Sequence, residues 1–399
     1  MMDGTKGLEI TGGVNQSGVR DHNERLILSM LKHRGPMPGA DIARRSGLSP
    51  QTASIILRKL EKDGILRRGD PLRGKVGKPS IPMELNPEGV FAIGLKIGRR
   101  SADLTLIDFS GQVRQQIHTT YDYALPDAIF GFLKSGLAKI LDNCTAKQRG
   151  RICGIGIGTP FELWKWHDLV GDAANRFKSW RDVDFAAEVS AFTDLPVFVL
   201  NDATAACHAE HLYGRGIKYR DYAYFYIGSF VGGGVVLNGT VFEGNQGNAG
   251  ALGSMRTTGP LGESQQLIDT ASLHLLEARL VEAGVDPTVL WHKPQDWSTL
   301  TNYVEPWIGE TAQELSKATL SICSVLDFEA IIIDGAFPSD VRDELVARVK
   351  RYIVNQDVRG LIAPNVEPGS VGENARAIGA ATGPIFRQFL LNTNAGLSA

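Results

Sequence analysis

An amide and a carboxylate stand side by side at the end of an apolar segment in the middle of the chain. The segment covers residues 195–200, and Asn201 and Asp202 follow it directly. The pattern predicts a strand, and open α/β sheets bind ligands at the carboxyl ends of their strands. There the pair could hold vicinal hydroxyl groups, with Asp202 as a general base on one of them. Asp202 could instead simply cap the helix that is expected to run to Tyr213.

A second group of polar side chains lies near the N-terminus, in a pattern that suits DNA. Ser49 and Pro50 predict a helix start, because serine is a favoured N-cap and proline loses nothing at the first helical position. The helix expected over residues 50–62 buries an apolar face made of Ala53, Ile56, Leu57 and Leu60. Polar side chains on the opposite face can hydrogen-bond to base edges in a major groove. The candidates for this role are Ser49, Gln51, Thr52, Ser54 and Arg58.

The segments around this helix complete a DNA-binding pattern. One helix is expected over residues 23–33 and a second, closed by Ser46-Gly47, buries Ile42 and Ala43. After the third helix, residues 65–68 and 81–85 indicate a hairpin with a basic tip. At this tip Arg73, Lys75 and Lys78 would contact phosphates or enter a minor groove. The order predicts a winged helix-turn-helix, although a three-helix protein-interaction domain with a solvated polar face is the alternative.

Composition and charge divide the chain into a small basic part and a larger acidic part. Residues 1–86 carry 15 Lys and Arg against 9 Asp and Glu, whereas the whole chain of 399 residues has a net charge of −2. We expect a flexible tail over residues 1–19, a DNA-binding domain over 20–86 and an α/β domain over 90–399 with a cleft near residue 200. The turn-forming Asn86-Pro87-Glu88-Gly89 marks the boundary.

The sequence carries no sign of a membrane or an oxidising compartment. No apolar run approaches the roughly 20 residues that span a bilayer, and residues 1–20 lack a secretion signal. The four cysteines are scattered without paired spacing, which favours a reducing environment and argues against a cysteine-rich zinc site. We therefore expect a cytoplasmic protein.

Several motifs resemble those of the ROK family, which contains sugar kinases and transcriptional repressors. The N-terminal match is Val19-Arg20-Asp21-His22-Asn23, with Gly77-Lys78-Pro79 in the wing. The larger domain matches at residues 154–160, 174–180, 195–203 and 244–250. The resemblance implies two actin-like α/β lobes with a sugar cleft between them. The positions it assigns to the ligand are Asn175, Asn201, Asp202, Asn248 and Gly250, with Asp269 as a further acidic candidate.

The loops that bind phosphate in ROK kinases are altered here. Lys96-Ile97-Gly98-Arg99-Arg100 stands where the kinases carry Asp-x-Gly-Gly-Thr, and Gly228-Ser229-Phe230 replaces Gly-Thr-Gly. A third change, Asp334-Gly335-Ala336, replaces a run of glycines near the adenosine site. Because phosphoryl transfer depends on positioning and charge neutralisation around the phosphates, we expect no kinase activity and no cofactor.

The sugar side of the resemblance is altered as well. The family glutamate and histidine of Gly-Glu-x-Gly-His correspond to Ala251 and Ser254. Residues 255–275 contain no cysteine, so we expect no structural zinc. His208 and His211 could also bind a metal ion, but the favoured interpretation is that they are ordinary residues of a helix.

The leading hypothesis is a transcriptional repressor of carbohydrate-related genes whose DNA affinity changes when a sugar-like molecule enters the cleft. It would bind an inverted-repeat operator as a dimer or tetramer. Two alternatives stay open. One is a regulator with an inactive cleft that a protein partner controls, and the other is a sugar kinase with unusual loops.

Overall fold

The computed structural model of the protein describes residues 16–71, 80–161, 178–259 and 262–391. Within these ranges no helix is both long and apolar enough to cross a membrane. The described chain forms an N-terminal head and two α/β lobes that follow it.

The head contains three helices and a small antiparallel sheet. Helices α1 (Gln16–Arg34), α2 (Gly39–Ser46) and α3 (Pro50–Lys62) surround a core that includes Ile27, Leu31, Ile42 and Leu60. Strands β1 (Met37–Pro38), β2 (Leu66–Arg68) and β3 (Pro82–Leu85) pair in the order β1-β3-β2. The expected winged helix-turn-helix is confirmed, with the first helix longer than predicted.

Local signals fix the ends of the head's helices as the sequence predicts. Gly47 ends α2 at a φ of 71°, a left-handed conformation that favours glycine. The Ser49 hydroxyl accepts the Thr52 amide at 3.1 Å, and Pro50 is the first residue of α3. Ala53, Ile56, Leu57 and Leu60 are buried, so the polar residues between them face outward.

The first lobe is built on a five-stranded sheet. Strands β4 (Phe91–Ile97), β5 (Ser101–Asp108), β6 (Val113–Thr120), β7 (Ile152–Thr159) and β8 (Val197–Asn201) lie in the order β6-β5-β4-β7-β8. Helices α4 (Pro126–Asp142), α5 (Ala146–Arg149) and α6 (Phe185–Ser190) accompany it. Strands β4, β7 and β8 run parallel, so their carboxyl ends meet at one edge of the sheet.

The second lobe repeats this arrangement. Strands β9 (Tyr222–Ile227), β10 (Val231–Leu237) and β11 (Thr240–Phe242) precede the small β12–β13 hairpin (Arg256–Thr258, Ser264–Gln266), and β14 (Ala330–Gly335) and β15 (Asn365–Pro368) follow. The main sheet has the order β11-β10-β9-β14-β15. Helices α7 (Asp202–Tyr213), α8 (Leu273–Glu282), α9 (Thr301–Cys323) and α10 (Ser339–Val354) belong to this part of the chain, and α11 (Ala375–Phe389) returns to pack on β4 and β7 of the first lobe. The two-lobed α/β fold implied by the resemblance is confirmed.

Helices α7 and α11 pack against each other at nearly backbone distance. A methyl group at Gly379 of α11 would overlap the carbonyl group of Ala205 in α7. On the other side of α11, methyl groups at Gly156 of β7 or Gly94 of β4 would overlap the helix backbone at Ala380 or Ala377. The small residues of this region therefore lock the two helices and the first-lobe sheet into one tightly packed unit.

Candidate ligand cleft and nucleic-acid interface

A cleft of about 460 Å³ opens between the lobes, at the carboxyl ends of β4, β7 and β8. Its size lies within the usual range for small-molecule sites. The residues that line it include four of the sequence-predicted ligand positions, namely Asn201, Asp202, Asn248 and Gly250. Side chains from strand ends and loops more than 40 residues apart therefore meet in one cavity.

Asn201 stabilises the start of α7. Its Oδ1 accepts the amides of Ala203 and Thr204 at 3.0 and 3.1 Å, so Asn201 is the N-cap of the helix. The capping role considered for Asp202 therefore belongs to its neighbour. Asp202 occupies the first helical position instead, where the positive end of the helix dipole stabilises its carboxylate.

Asp202 forms an ion pair with Arg376, a residue that the sequence analysis did not single out. Nη1 of Arg376 donates to Oδ2 of Asp202 at 3.0 Å. The guanidinium lies over the Tyr226 ring, 4.9 Å from its centroid, and its Nε has no hydrogen-bond partner among the described residues. Burial opposes the charged form, but Tyr226 and Asp202 together raise the pKa of Arg376 above its usual value.

A signal for Arg376 was present in the sequence. It is the one charged residue in the small, apolar stretch 375–383, which forms a buried helix. Since a buried cation needs a partner, an arginine in such a stretch indicates an ion pair or a ligand site. Its partner was not predictable, because 174 residues separate the two.

The glycine-rich loop reaches the cleft through an unusual backbone conformation. Gly250 has a φ of 75°, and a methyl group there would overlap the backbone of Gly234. Glycine is therefore required for the loop to lie against β10 and to present Asn248 to the cleft. Ala251 and Ser254, the two departures from the family pattern, also line this cavity.

Of the two remaining predicted ligand residues, Asp269 serves a local turn, and Asn175 falls in a part of the chain that the structure does not describe. Oδ2 of Asp269 accepts the backbone amide of Gln266 at 3.0 Å, which caps a short 3-10 turn. Gln266 and Ile268 line the cleft, but Asp269 is not among the lining residues. Asn175 lies outside the described residues, so its proposed contact stays a prediction.

The side of the cleft that matches the kinases' phosphate loops is occupied by protein. Nη1 of Arg99 donates to Oε2 of Glu277 at 2.7 Å, across the two lobes. The Arg99 guanidinium also lies 5.8 Å from the centroid of the Phe230 ring, which packs on His274. Trp291 adds a hydrogen bond to Glu277 at 2.8 Å. A bulky, charge-paired cluster thus stands where a kinase needs open backbone amides.

Lys96, which stands in place of the kinase carboxylate, is buried and hydrogen-bonded to residues of the adjacent strand β5. Its Nζ donates to the hydroxyl and carbonyl oxygens of Ser101 at 2.8 and 3.1 Å and lies 3.4 Å from Oδ2 of Asp103. Burial, with repulsion from Arg376, lowers the pKa of Lys96 to about 8. Burial acts to raise the pKa of Asp103, but Lys96, His118 and Lys293 hold it well below its usual value.

Asp334, in the third altered loop, is fully buried and serves the local backbone. Its carboxylate accepts the amides of Gly335 and Gly372, each at 2.9 Å. Burial and the nearby Glu210 raise the pKa of Asp334 to about 6. This carboxylate organises the turn at the end of β14 and is not offered to the cleft.

The candidate DNA-reading residues share the outer face of α3. Gln51, Ser54 and Arg58 are exposed, and Thr52 is partly exposed. In the described part of the chain, Nε of Arg58 donates one hydrogen bond to the Ser54 carbonyl at 3.2 Å. The hydroxyl of Ser49 is engaged in the helix cap, so its contribution is to set the start of α3. The wing residues Arg73, Lys75 and Lys78 lie outside the described residues.

The head rests on the carboxyl-terminal ends of α7 and α11. Nζ of Lys32 in α1 lies 3.8 Å above the Tyr213 ring at the end of α7. The Leu391 amide, just beyond α11, donates to Oγ of Ser29 at 2.9 Å. At a third point the Arg151 guanidinium donates to the carbonyl oxygens of Asp63 and Gly64, both at 3.3 Å.

His208 and His211 occupy ordinary helix positions in α7. A ring nitrogen of His211 lies 2.9 Å from the Gly239 carbonyl, and burial lowers its pKa to about 3. His208 packs against Phe386 and lies 3.4 Å from Glu243. Over the described part of the chain, no three His, Cys, Asp or Glu side chains cluster closely enough to hold a metal ion.

Comparison with known families assigns both parts of the chain. Residues 92–267 match the ROK family, and residues 20–67 match a winged helix-turn-helix DNA-binding domain. The y4fQ protein of Sinorhizobium fredii is 26% identical over 92% of this chain and 91% of its own length. The DNA-binding transcriptional dual regulator NagC of Escherichia coli is 25% identical over 70% of this chain and 68% of its own.

A solved structure agrees with the fold of head and lobes together. It is a ROK family transcriptional regulator, described as a homologue of the Escherichia coli Mlc protein. It superposes with a TM-score of 0.64 at 19% identity and covers 92% of this chain and 96% of that one.

Proposed function

The chain carries a ROK family domain behind a winged helix-turn-helix, and from this premise we propose a DNA-binding transcriptional regulator controlled by a small molecule in the cleft. One observation carries the proposal. Helices α7 and α11 both begin at the cleft, with Asp202 and Arg376, and both end against the head. A change at the cleft therefore has a short, rigid route to the DNA-binding helices.

The head supplies the DNA contacts. Gln51, Thr52 and Ser54 project from the first two turns of α3, the part of a recognition helix that reaches base edges, and Arg58 follows in the third turn. The net positive charge of residues 1–86 adds attraction to the phosphate backbone that does not depend on sequence. Since one such helix reads only a few base pairs, we expect two copies of the chain on an inverted repeat.

The cleft supplies the control. Its polar lining of amide, hydroxyl and charged groups suits a ligand with several hydroxyl groups, so the effector is of a sugar-like class. Ligand that draws the lobes together would act on the Asp202–Arg376 pair, which joins the first turns of α7 and α11. The carboxyl-terminal ends of these helices would then shift under α1, which changes the DNA-binding geometry of the paired heads.

The required coupling is modest. Helix α7 has 12 residues, so at 1.5 Å per residue it spans roughly 18 Å between cleft and head. A coupling free energy of about 1–3 kcal/mol is enough to change operator occupancy several-fold to a hundredfold. The backbone-to-backbone packing at Gly379 and Ala205 favours movement of α7 and α11 as one body.

Phosphoryl transfer is not part of the proposed function. The Arg99–Glu277 pair and the Phe230 ring occupy the region that matches the phosphate loops, and Lys96 offers no ligand for magnesium. A coupled ATP assay over a sugar panel is expected to give no turnover. If the wild-type chain does turn over ATP and an Asp202→Ala variant does not, the proposal is wrong and the protein is a kinase.

The test combines operator binding with a ligand screen. Selection of genomic fragments by the purified chain should yield an inverted repeat, and a sugar-like ligand should raise the melting temperature and change the affinity for that repeat. A ligand at 100 times its dissociation constant adds about 2.7 kcal/mol to stability. If the chain binds its operator but no sugar, sugar phosphate or polyol stabilises it, control by a small molecule is wrong and control by a protein partner is favoured.

A further inference from the structure

The charged groups of the cleft narrow the class of effector. Resting on the proposed function, we infer that the effector is a polyhydroxylated molecule that carries an anionic group, a carboxylate or a phosphate, and that Arg376 receives this group. Neutral sugars of the same stereochemistry would bind more weakly. Three features of the cleft support this inference: the charged groups of its lining, the hydrogen bonds of Arg376 and the surroundings of the Asp202–Arg376 pair.

The described lining of the cleft carries more positive than negative charge. Its charged side chains are Arg99, Asp202 and Arg376, which give a formal charge of +1. Glu277, which pairs with Arg99, is not among the lining residues. A ligand therefore meets two cationic groups and one carboxylate. Because Arg99 is already paired with Glu277 at 2.7 Å, an anionic group on the ligand would interact with Arg376 and share it with Asp202.

Arg376 has hydrogen-bonding capacity that the protein does not use. A guanidinium offers five N–H donors, and the described structure gives Arg376 one side-chain ion-pair bond, from Nη1 to Asp202. Its Nε is shielded from solvent and has no partner among the described residues. An unpaired donor on a buried cation is costly, and a carboxylate or phosphate is the acceptor that best fits a guanidinium fork.

The other groups near Arg376 leave room for this second partner. Tyr226 covers one face of the guanidinium with its ring and also shares a side-chain hydrogen bond with it, so Tyr226 stabilises the cation without neutralising its charge. Asn201 uses its side-chain oxygen for the helix cap. Ser229 and Asn248, also in the lining, supply hydroxyl and amide groups for the ligand's own hydroxyls. The uncharged part of the ligand and its anionic group thus find different partners in one cavity.

A matched ligand series tests the inference on the full chain. Each series contains a neutral hexose, its uronate and its 6-phosphate, with D-glucose, D-galactose and D-mannose as the three parents. We expect the uronate or the 6-phosphate of at least one series to bind at least tenfold more tightly than the neutral parent by calorimetry. The two anionic arms separate a carboxylate ligand from a phosphate ligand.

Variants connect this preference to Arg376. The double substitution Asp202→Asn and Arg376→Gln removes both charges and leaves no buried unpaired ion, and circular dichroism checks its fold. It should lose the tenfold preference for the anion. Arg359→Gln is the matched control and should keep the preference, because the Arg359 side chain is 91% exposed and does not line the cleft.

The outcomes separate this inference from the proposed function. If a neutral hexose binds as tightly as its anions, or if the double variant keeps the preference, the inference is wrong and the sugar-like effector stands. If no member of any series binds while the chain still selects an operator, the small-molecule control fails together with the inference.

Discussion

The carboxylate of Asp202 and the guanidinium of Arg376 join the first turns of α7 and α11 at a distance of 3.0 Å. Both side chains are largely buried, at 14% and 11% exposure. The pair therefore ties together the two helices that run from the cleft to the head. It also means that Asp202, which the sequence presents as a free acidic group, is already engaged by a cation.

Breaking this pair from one side should destabilise the protein. Asp202→Ala leaves the buried Arg376 without its carboxylate, so we expect a loss of about 3–5 kcal/mol in the free energy of unfolding. Combining Asp202→Asn with Arg376→Gln should recover much of that loss. Urea unfolding of the single and double variants measures the coupling. Additive losses would show that the two side chains do not interact.

The contact between α7 and α11 can be tested with a single methyl group. Gly379→Ala would overlap the Ala205 carbonyl, and we expect it to lower the free energy of unfolding by about 2 kcal/mol or more. Gly131→Ala is the matched control, because Gly131 lies in α4 with no atom within 4 Å of the added methyl group. The control should raise stability by about 0.5–1 kcal/mol. Similar effects at the two sites would argue against the close packing.

The contact between head and body should depend on pH through Lys32. Burial lowers the pKa of Lys32 to about 7, although Asp108 opposes the shift, and Tyr213, His33 and Arg34 are its other polar neighbours. Between pH 7 and the ordinary lysine value the unfolded chain holds a proton that the folded chain lacks. The free energy of unfolding therefore rises with pH over this window.

The rise in the free energy of unfolding with pH can be assigned to Lys32 by comparing two methionine variants. Because Lys32 keeps some solvent exposure, we expect it to contribute about 1–2 kcal/mol between pH 7 and pH 9. Lys32→Met should remove this contribution, and Lys62→Met, on the exposed end of α3, should retain it. Urea unfolding at pH 7, 8 and 9 gives the result. An equal rise in all three proteins would assign the pH dependence to other groups.

Arg58 should contribute to DNA binding without a role in the cleft. It is exposed on α3, and its removal costs one charge-assisted contact, so Arg58→Ala should weaken operator binding by about 1–3 kcal/mol. Stabilisation by the effector should be unchanged, since Arg58 lies in the head. Fluorescence anisotropy and thermal shift on the same preparation check both parts, with Arg359→Ala as the exposed control. Loss of effector binding in Arg58→Ala would contradict the division into head and sensor.

The head was largely predictable because local rules decide its structure. A serine cap, a proline at the first helical position and a buried stripe at helical spacing fixed the bounds of α3 to Pro50–Lys62. These signals act over a few residues and do not depend on the rest of the chain. The α/β class of the larger domain and the strand that ends at Asn201 follow from the apolar pattern, whereas the division into two lobes was predictable only through the resemblance to a family.

The cleft was predictable in its location and only partly in its chemistry. Asn201, Asp202, Asn248 and Gly250 do meet there. The partner of Asp202 was not predictable, because an ion pair between helices far apart in sequence depends on tertiary packing. The Arg99–Glu277 pair was also not predictable, because its two residues are 178 positions apart and meet only through tertiary packing. Local rules also did not decide which member of the Asn201–Asp202 pair caps α7.

The most direct test of the central claim is the specificity of the full chain for DNA. Fragments selected from genomic DNA should share an inverted repeat, and anisotropy near 0.15 M salt should give an affinity for that repeat at least ~1,000-fold above that for a scrambled duplex. Addition of the effector should change the specific affinity and leave the non-specific affinity nearly constant. Equal affinity for the repeat and the scrambled duplex would contradict the assignment as a DNA-binding regulator.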